Sequence, residues 1–237
     1  IQSALDKKQR SSEQLVINVS GTCEENVSIT RDDVTINGGH ITTIRGTVNA
    51  EGANRIFINH MTITGPGNGF VAYGGRTELS GVTITQNELD GLWAIQNSIV
   101  RMSNSTVSEN GLSGAFIQTS KVELSNSDFI NNNSDGILLD IGANAISWGS
   151  KFTGNLRNGI TVRLHSVTQI RDATVVSGNS QTGAVIMEDS ALRIDTSDVI
   201  FPDEIWCADD ESSLGNDGGV STGYSTCTDF NQVAPTH

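Results

Sequence analysis

Three observations predict an all-β chain wound as one single-stranded parallel β-helix of about seven to eight coils. A glycine-apolar pair recurs at a nearly constant interval, a polar residue keeps step with it, and three short alternating segments fill each interval. The pairs are Gly69-Phe70, Gly91-Leu92, Gly114-Ala115, Gly136-Ile137, Gly159-Ile160 and Gly183-Ala184, spaced by 22, 23, 22, 23 and 24 residues. Asn87, Asn110, Asn132, Asn155 and Asn179 form the accompanying file. If each repeat is one coil, like residues stack ~4.8 Å apart, and side-chain amides in such a file can bond one another.

The segments within a repeat alternate with period two, so the outer members of each triplet point inward. One set reads Thr77-Glu78-Leu79, Val100-Arg101-Met102, Val122-Glu123-Leu124, Ile146-Ser147-Trp148, Thr168-Gln169-Ile170 and Leu192-Arg193-Ile194. Another includes Val82-Thr83-Ile84 and Ala173-Thr174-Val175. Glu78, Arg101 and Glu123 then face solvent on consecutive coils with alternating sign, as a surface ion-pair ladder. Leucine-rich repeats share this interval, but they need a regular leucine scaffold and a helical return that this Ser-, Asn- and Gly-rich chain lacks.

A stacked rod has open ends that must be covered. Residues 1–12 are expected to form a short amphipathic N-terminal helix, residues 13–201 the coils and residues 202–237 a C-terminal cap, all within a single domain. Val16-Ile-Asn-Val19, Val27-Ser-Ile29 and Val34-Thr-Ile36 begin the coils. Cys207 and Cys227 lie in the polar tail, where a disulfide would stabilise by roughly 3 kcal/mol in the chain-entropy model. Cys23 is left over and is expected as a small buried apolar residue. Such a bridge implies an oxidising compartment, and an opening at Ile1 is what a chain that has lost an export signal would show. The expected location is secreted, periplasmic or at the cell surface.

The 237 residues carry a formal charge of −13, from 27 acidic and 14 basic side chains. That average field repels nucleic acid, anionic lipid and acidic polysaccharide, so a polyanionic ligand needs bridging cations or a locally basic site. No run approaches the ~18 apolar residues of a membrane span.

The opening Ile-Gln-Ser-Ala-Leu, the segments Gly21-Thr-Cys-Glu-Glu-Asn-Val-Ser-Ile29 and Asp33-Val-Thr-Ile-Asn-Gly38, and the Gly-apolar repeats resemble the pectate-lyase-like group of β-helix proteins over roughly residues 1–200. The resemblance, with the usual handedness of parallel crossovers, implies right-handed winding. It also implies a polysaccharide partner and, if there is chemistry, lyase-like or epimerase-like chemistry. The paired aspartates with downstream Gly-His-Gly of polygalacturonases are not found, nor are Asp-Pro-His of alginate epimerases and Trp-x-Asp-His of pectate lyases.

The strand after each repeat glycine is expected to expose its second and fourth residues. The second-residue row, Val71, Trp93, Phe116, Leu138, Thr161 and Val185, is apolar for a solvent-facing file. A contiguous apolar stripe calls for a cover. Three covers suit it: the chain's own tail or a loop, a second copy forming a homo-oligomer, or a glycan stacked on Tyr73, Trp93 and Phe116. At the polar end of the same face stand Asp140, Arg163, His165 and Glu188. Asp140 and Glu188 are the candidate ligands for Ca²⁺, the one cofactor considered beside none, and Arg163 or His165 would take the proton α to a uronate carboxylate. An ordinary surface ion pair accounts for the same residues.

Overall fold

The computed structural model describes residues 1–7, 13–195, 199–209, 212–216 and 222–225. A helix, Gln2–Lys7, buries Leu5 against the first coil. Every strand pairing that follows is parallel, and three strands per turn define three faces.

Among the described residues the first face holds ten strands, from Val27–Ile29 through Phe70–Tyr73, Leu92–Ile95 and Ile137–Asp140 to Phe201–Cys207 and Thr222–Ser225. The second runs from Ile56–Asn59 through Arg76–Ser80, Ile99–Ser103, Lys121–Ser125, Asn144–Trp148 and Val167–Arg171 to Ser213–Asn216. The third runs from Thr62–Gly65 to Val175–Ser177. The long strand Val34–Arg45 joins these last two, pairing by its first half with Ile56–Asn59 and by Thr43–Arg45 with Thr62–Thr64.

Inward positions form one continuous apolar cluster from Leu5 to Cys207, because each coil adds aliphatic side chains directly above those of the coil before. Phe129 and Phe152 stack with ring centroids 5.3 Å apart. The asparagine file is a hydrogen-bonded ladder as expected. Asn87, Asn110, Asn132 and Asn155 each donate Nδ2–H to the Oδ1 of the next asparagine, at 2.9–3.0 Å. The repeat glycines belong to the same device. A Cβ on Gly114 would lie 2.6 Å from Gly136 O and 2.7 Å from Asn132 Nδ2, so any side chain there would collide with the ladder.

Serines make a second set of ladders. Ser98 N–H donates to Ser120 Oγ, Ser166 N–H to Ser190 Oγ, and Ser105 N–H to Ser127 Oγ.

Four expectations are corrected. The rod has about nine turns rather than seven or eight. The earliest coils lack the glycine marker, and the ladders continue past residue 201: Val185 pairs with Trp206 and Leu192 with Leu214, so the expected cap contributes further coils. Two triplets are out of register by one residue. Val122 and Leu124 pair with Ala145 and Ser147, which are therefore inward, while Ile146 and Trp148 face outward. Likewise Thr174 and Val176 are inward and Ala173 is exposed. Finally, Cys23 is a half-buried free thiol instead of a core residue. Of the expected bridge, Cys207 closes a first-face strand, whereas Cys227 lies outside the described residues.

Candidate functional site

Outward side chains on the first face stack in strict register: Asn49, Val71, Trp93, Phe116, Leu138, Thr161, Val185 and Trp206 occupy one file. The file is less open than the alternation implies. Val71, Thr161 and Val185 are buried, while Trp93, Phe116 and Leu138 are half-buried. Thr161 Oγ1 accepts from Asn158 Nδ2 and donates to Asp135 Oδ1, so turn side chains close over the file at that rung. Tyr73 is exposed but stands in the neighbouring file with Glu51 and Ile95, so it does not extend the Trp93–Phe116 pair. Whether residues 226–237 cover this face falls outside the described residues.

Asp140 and Arg163 meet as a bidentate pair. Arg163 Nε–H donates to Oδ1 at 3.1 Å and an Nη2–H to Oδ2 at 3.4 Å, and Gln118 reaches Oδ2 at 3.5 Å. Asp140 is buried, with both oxygens facing donors, which is the geometry of a structural ion pair. His165 and Glu188 are exposed turn residues with positive φ, joined through the backbone by His165 N–H to Glu188 O at 2.9 Å. Among the described residues no group of three or more His, Cys, Asp or Glu could hold a metal ion.

A file that the sequence reading passed over lies immediately before the repeat glycines: Asn68, Asp90, Ser113, Asp135, Asn158 and Thr182. Oxygens of Asn68, Asp90 and Asp135 accept the backbone N–H of Asp90, Ser113 and Asn158 respectively. Burial pushes the Asp90 carboxyl up to about 6, with the Ser113 N–H opposing the rise and Asp135 adding to it. Burial also raises Asp135, against the pull of the Arg157 guanidinium.

The second face presents a groove of about 420 Å³. Its floor is the register file Asn59, Ser80, Ser103 and Ser125, which ends against the Trp148 indole. Three consecutive serines leave an open trough between larger neighbours. Arg171, one coil on, lies 5.8 Å from the Trp148 ring centroid and braces it. Along one wall Arg101 bridges Glu123 at 2.7 Å and Glu78 at 3.7 Å, the alternating ladder expected from the repeats, and Lys121 adds a contact to Glu123 at 2.9 Å. The hydrogen bond from Lys121 chiefly holds the Glu123 carboxyl below the usual range, against burial and with help from Arg101.

These five strands, from Arg76–Ser80 to Val167–Arg171, carry Arg76, Arg101, Lys121 and Arg171 against Glu78 and Glu123. They form a locally basic surface on an acidic chain. The sequence reading missed this groove because it turned Trp148 inward. The signal was present in Asn144-Ala-Ile-Ser-Trp148, where Ala145 and Ser147 are the small members of an inward file.

The family model described as a right-handed β-helix region matches residues 15–171 and 68–201. Among solved structures, the A-module of the Azotobacter vinelandii mannuronan C-5 epimerase AlgE4 superposes with a TM-score of 0.57 at 13% identity, covering 96% of this chain and 94% of that one. Full-length tailspike protein 2 of Escherichia coli O157:H7 bacteriophage CAB120 gives 0.51 at 13% identity, covering 94% of this chain and 40% of the tailspike. At such identities the likeness is one of fold. No curated protein matches the sequence. No described helix is long and apolar enough to cross a membrane.

Proposed function

We propose that this chain, which belongs to the right-handed β-helix family, is an exported protein that binds a polysaccharide in the second-face groove. The observation that carries the reading is the juxtaposition of the braced Trp148 indole with the serine trough and the Arg101–Glu123 wall. An aromatic face receives the C–H side of a sugar ring, hydroxyls and charged groups receive its oxygens, and the trough admits a chain running along the rod. The groove's own charged lining is Arg101 with Glu78 and Glu123, and Arg76, Lys121 and Arg171 stand on the same strands around it, so neutral and acidic glycans are both admitted. The two β-helix structures compared above are named as a mannuronan epimerase and a phage tailspike, which accords with a glycan partner and does not define one. Glu78 and Glu123 are both engaged in ion pairs and Glu123 is held ionised, so these groups are suited to binding more than to proton transfer.

Titration calorimetry with neutral and acidic oligosaccharides tests this. Trp148→Ala should weaken binding of the preferred glycan at least tenfold, and Ser103→Tyr should block the trough, while Trp93→Ala leaves affinity unchanged. Loss on Trp93→Ala with no effect of Trp148→Ala would move the site to the first face.

A second reading concerns the first face. Half-buried Trp93 and Phe116 each follow by four residues an exposed leucine, Leu89 and Leu112, both 44% exposed, which favours an interface with another copy of the chain. Light scattering would then give an oligomer that Phe116→Ser dissociates, and a monomer at working concentration would end that reading.

A further inference from the structure

The corner between the second and third faces is short in the coils that follow the long strand: His60-Met61, Gly81-Val82 and Asn104-Ser105 each join two strands of a turn. In the coil of Val34–Arg45 the corner runs from Gly38 to Thr42, because Asn37 pairs with Asn59 while Thr43 pairs with Thr62. The extra residues have no counterpart in the next coil and stand out from the stack as a ridge. Thr42 pins the ridge, since its Oγ1 accepts the Gly39 N–H at 2.8 Å and donates to Val19 O at 2.9 Å. Ile41 is 83% exposed there, so the ridge presents an aliphatic surface instead of burying one.

Beside the ridge lies a cavity of about 560 Å³, larger than the second-face groove of about 420 Å³. Thr43, Thr62 and Thr83 stack in register along it, Ile41 stands on the ridge, and the His60 imidazole lies over Gly81, where a Cβ would come within 2.5 Å of its Nδ1. Among the described residues no carboxylate, ammonium or guanidinium group lines it. Hydroxyls, an imidazole and an aliphatic wall without fixed charge favour an uncharged polyhydroxyl ligand with an apolar side over an ion.

This cavity adjoins the groove. Asn59 and Ser80 line the groove, and the residues that follow them, His60 and Gly81, line the corner cavity. Asn37, next after Asn59 along the floor file, lines neither, so the concave path leaves the floor at Asn59 and turns over the corner.

We propose that groove and corner cavity form one extended site, in which a glycan lying along the serine trough passes over the corner and seats further uncharged sugar residues against Ile41, His60 and the threonine file. This rests on the glycan reading of the groove and adds the length of the ligand and its neutral end. The rungs from Trp148 to Asn59 span ~19 Å, about four sugar residues, so only longer chains reach the corner.

Titration calorimetry of the full chain with cello- and manno-oligosaccharides of two to six units tests the extension. Affinity for the series that binds should rise roughly fivefold or more between four and six units. Ile41→Ser and Thr62→Tyr should remove that gain and leave binding of the tetramer unchanged. A urea midpoint checks the folding of each variant, and the exposed Ile41 position keeps the test available if Thr62→Tyr does not fold. A plateau at four units overturns the proposal, as does an equal loss at every length in the folded variants or no binding of either neutral series. The groove reading fails by a different result, when neutral and acidic oligosaccharides alike do not bind or Trp148→Ala changes nothing.

Discussion

Asp203 receives the last amide of the asparagine ladder: Asn179 Nδ2–H donates to its Oδ2 at 3.2 Å, and the backbone N–H groups of Gly178 and Asn179 fall on the same carboxylate. All the ladder amides point the same way, so the file ends on an acceptor that has no need to donate onward. At the opposite end, Asn87 Oδ1 is buried without a donor among the described residues.

Removing a middle rung should therefore cost more than removing the terminal carboxylate. Asn132→Ala strips a partner from Asn110 and leaves its buried backbone N–H unpaired, and a loss of about 2–4 kcal/mol is expected from urea unfolding. Asp203→Ala should cost about 1–2 kcal/mol, and Asp203→Asn less.

Asp90 predicts a pH dependence of stability. Its folded pKa is raised to about 6 from an ordinary value of 3.8, so between those values the folded state binds more protons than the unfolded one. Stability from this group is full below pH ~4 and falls as pH rises through 6, a loss of roughly 3 kcal/mol at neutral pH. Asn68 performs the same backbone-capping task with an amide. Asp90→Asn should accordingly raise the melting temperature at pH 7 and leave it nearly unchanged at pH 4. Equal effects at both pH values would contradict this account.

Thr77 and Ser147 bury hydroxyls that find no partner among the described residues. Thr77→Val and Ser147→Ala each remove an unsatisfied group with little change of shape, and each should stabilise the rod by about 1 kcal/mol in denaturant melts. The Ser147 result also tests register, because a serine on the outer surface would show no such gain.

For the expected Cys207–Cys227 bridge, thiol titration of the unfolded, non-reduced chain should find one reactive cysteine per molecule, Cys23. Three reactive thiols would remove the bridge from the account.

The coil, the three-face division and the asparagine ladder were legible in the sequence because each is a repeat along the chain. A position that must be Gly to clear the next amide, or Asn to continue a ladder, is under the same constraint in every coil. What a linear reading missed depends on neighbours across coils. Ile146-Ser147-Trp148 satisfies period two in either register, and only pairing with Val122 and Leu124 sets Ala145 and Ser147 inward and releases Trp148 to the groove. The Trp93–Phe116 file was visible, but the bonds that tie Asn158 and Asp135 to Thr161 within it were not, since they join residues of different coils. Trp206 looked like part of a cap because the glycine marker stops before it, yet the ladder's hydrogen bonds carry the next coil onto Val185. Repetition in the sequence determined the rod. Its grooves, its paired charges and its corner cavity were decided by which residues the stacking brought side by side.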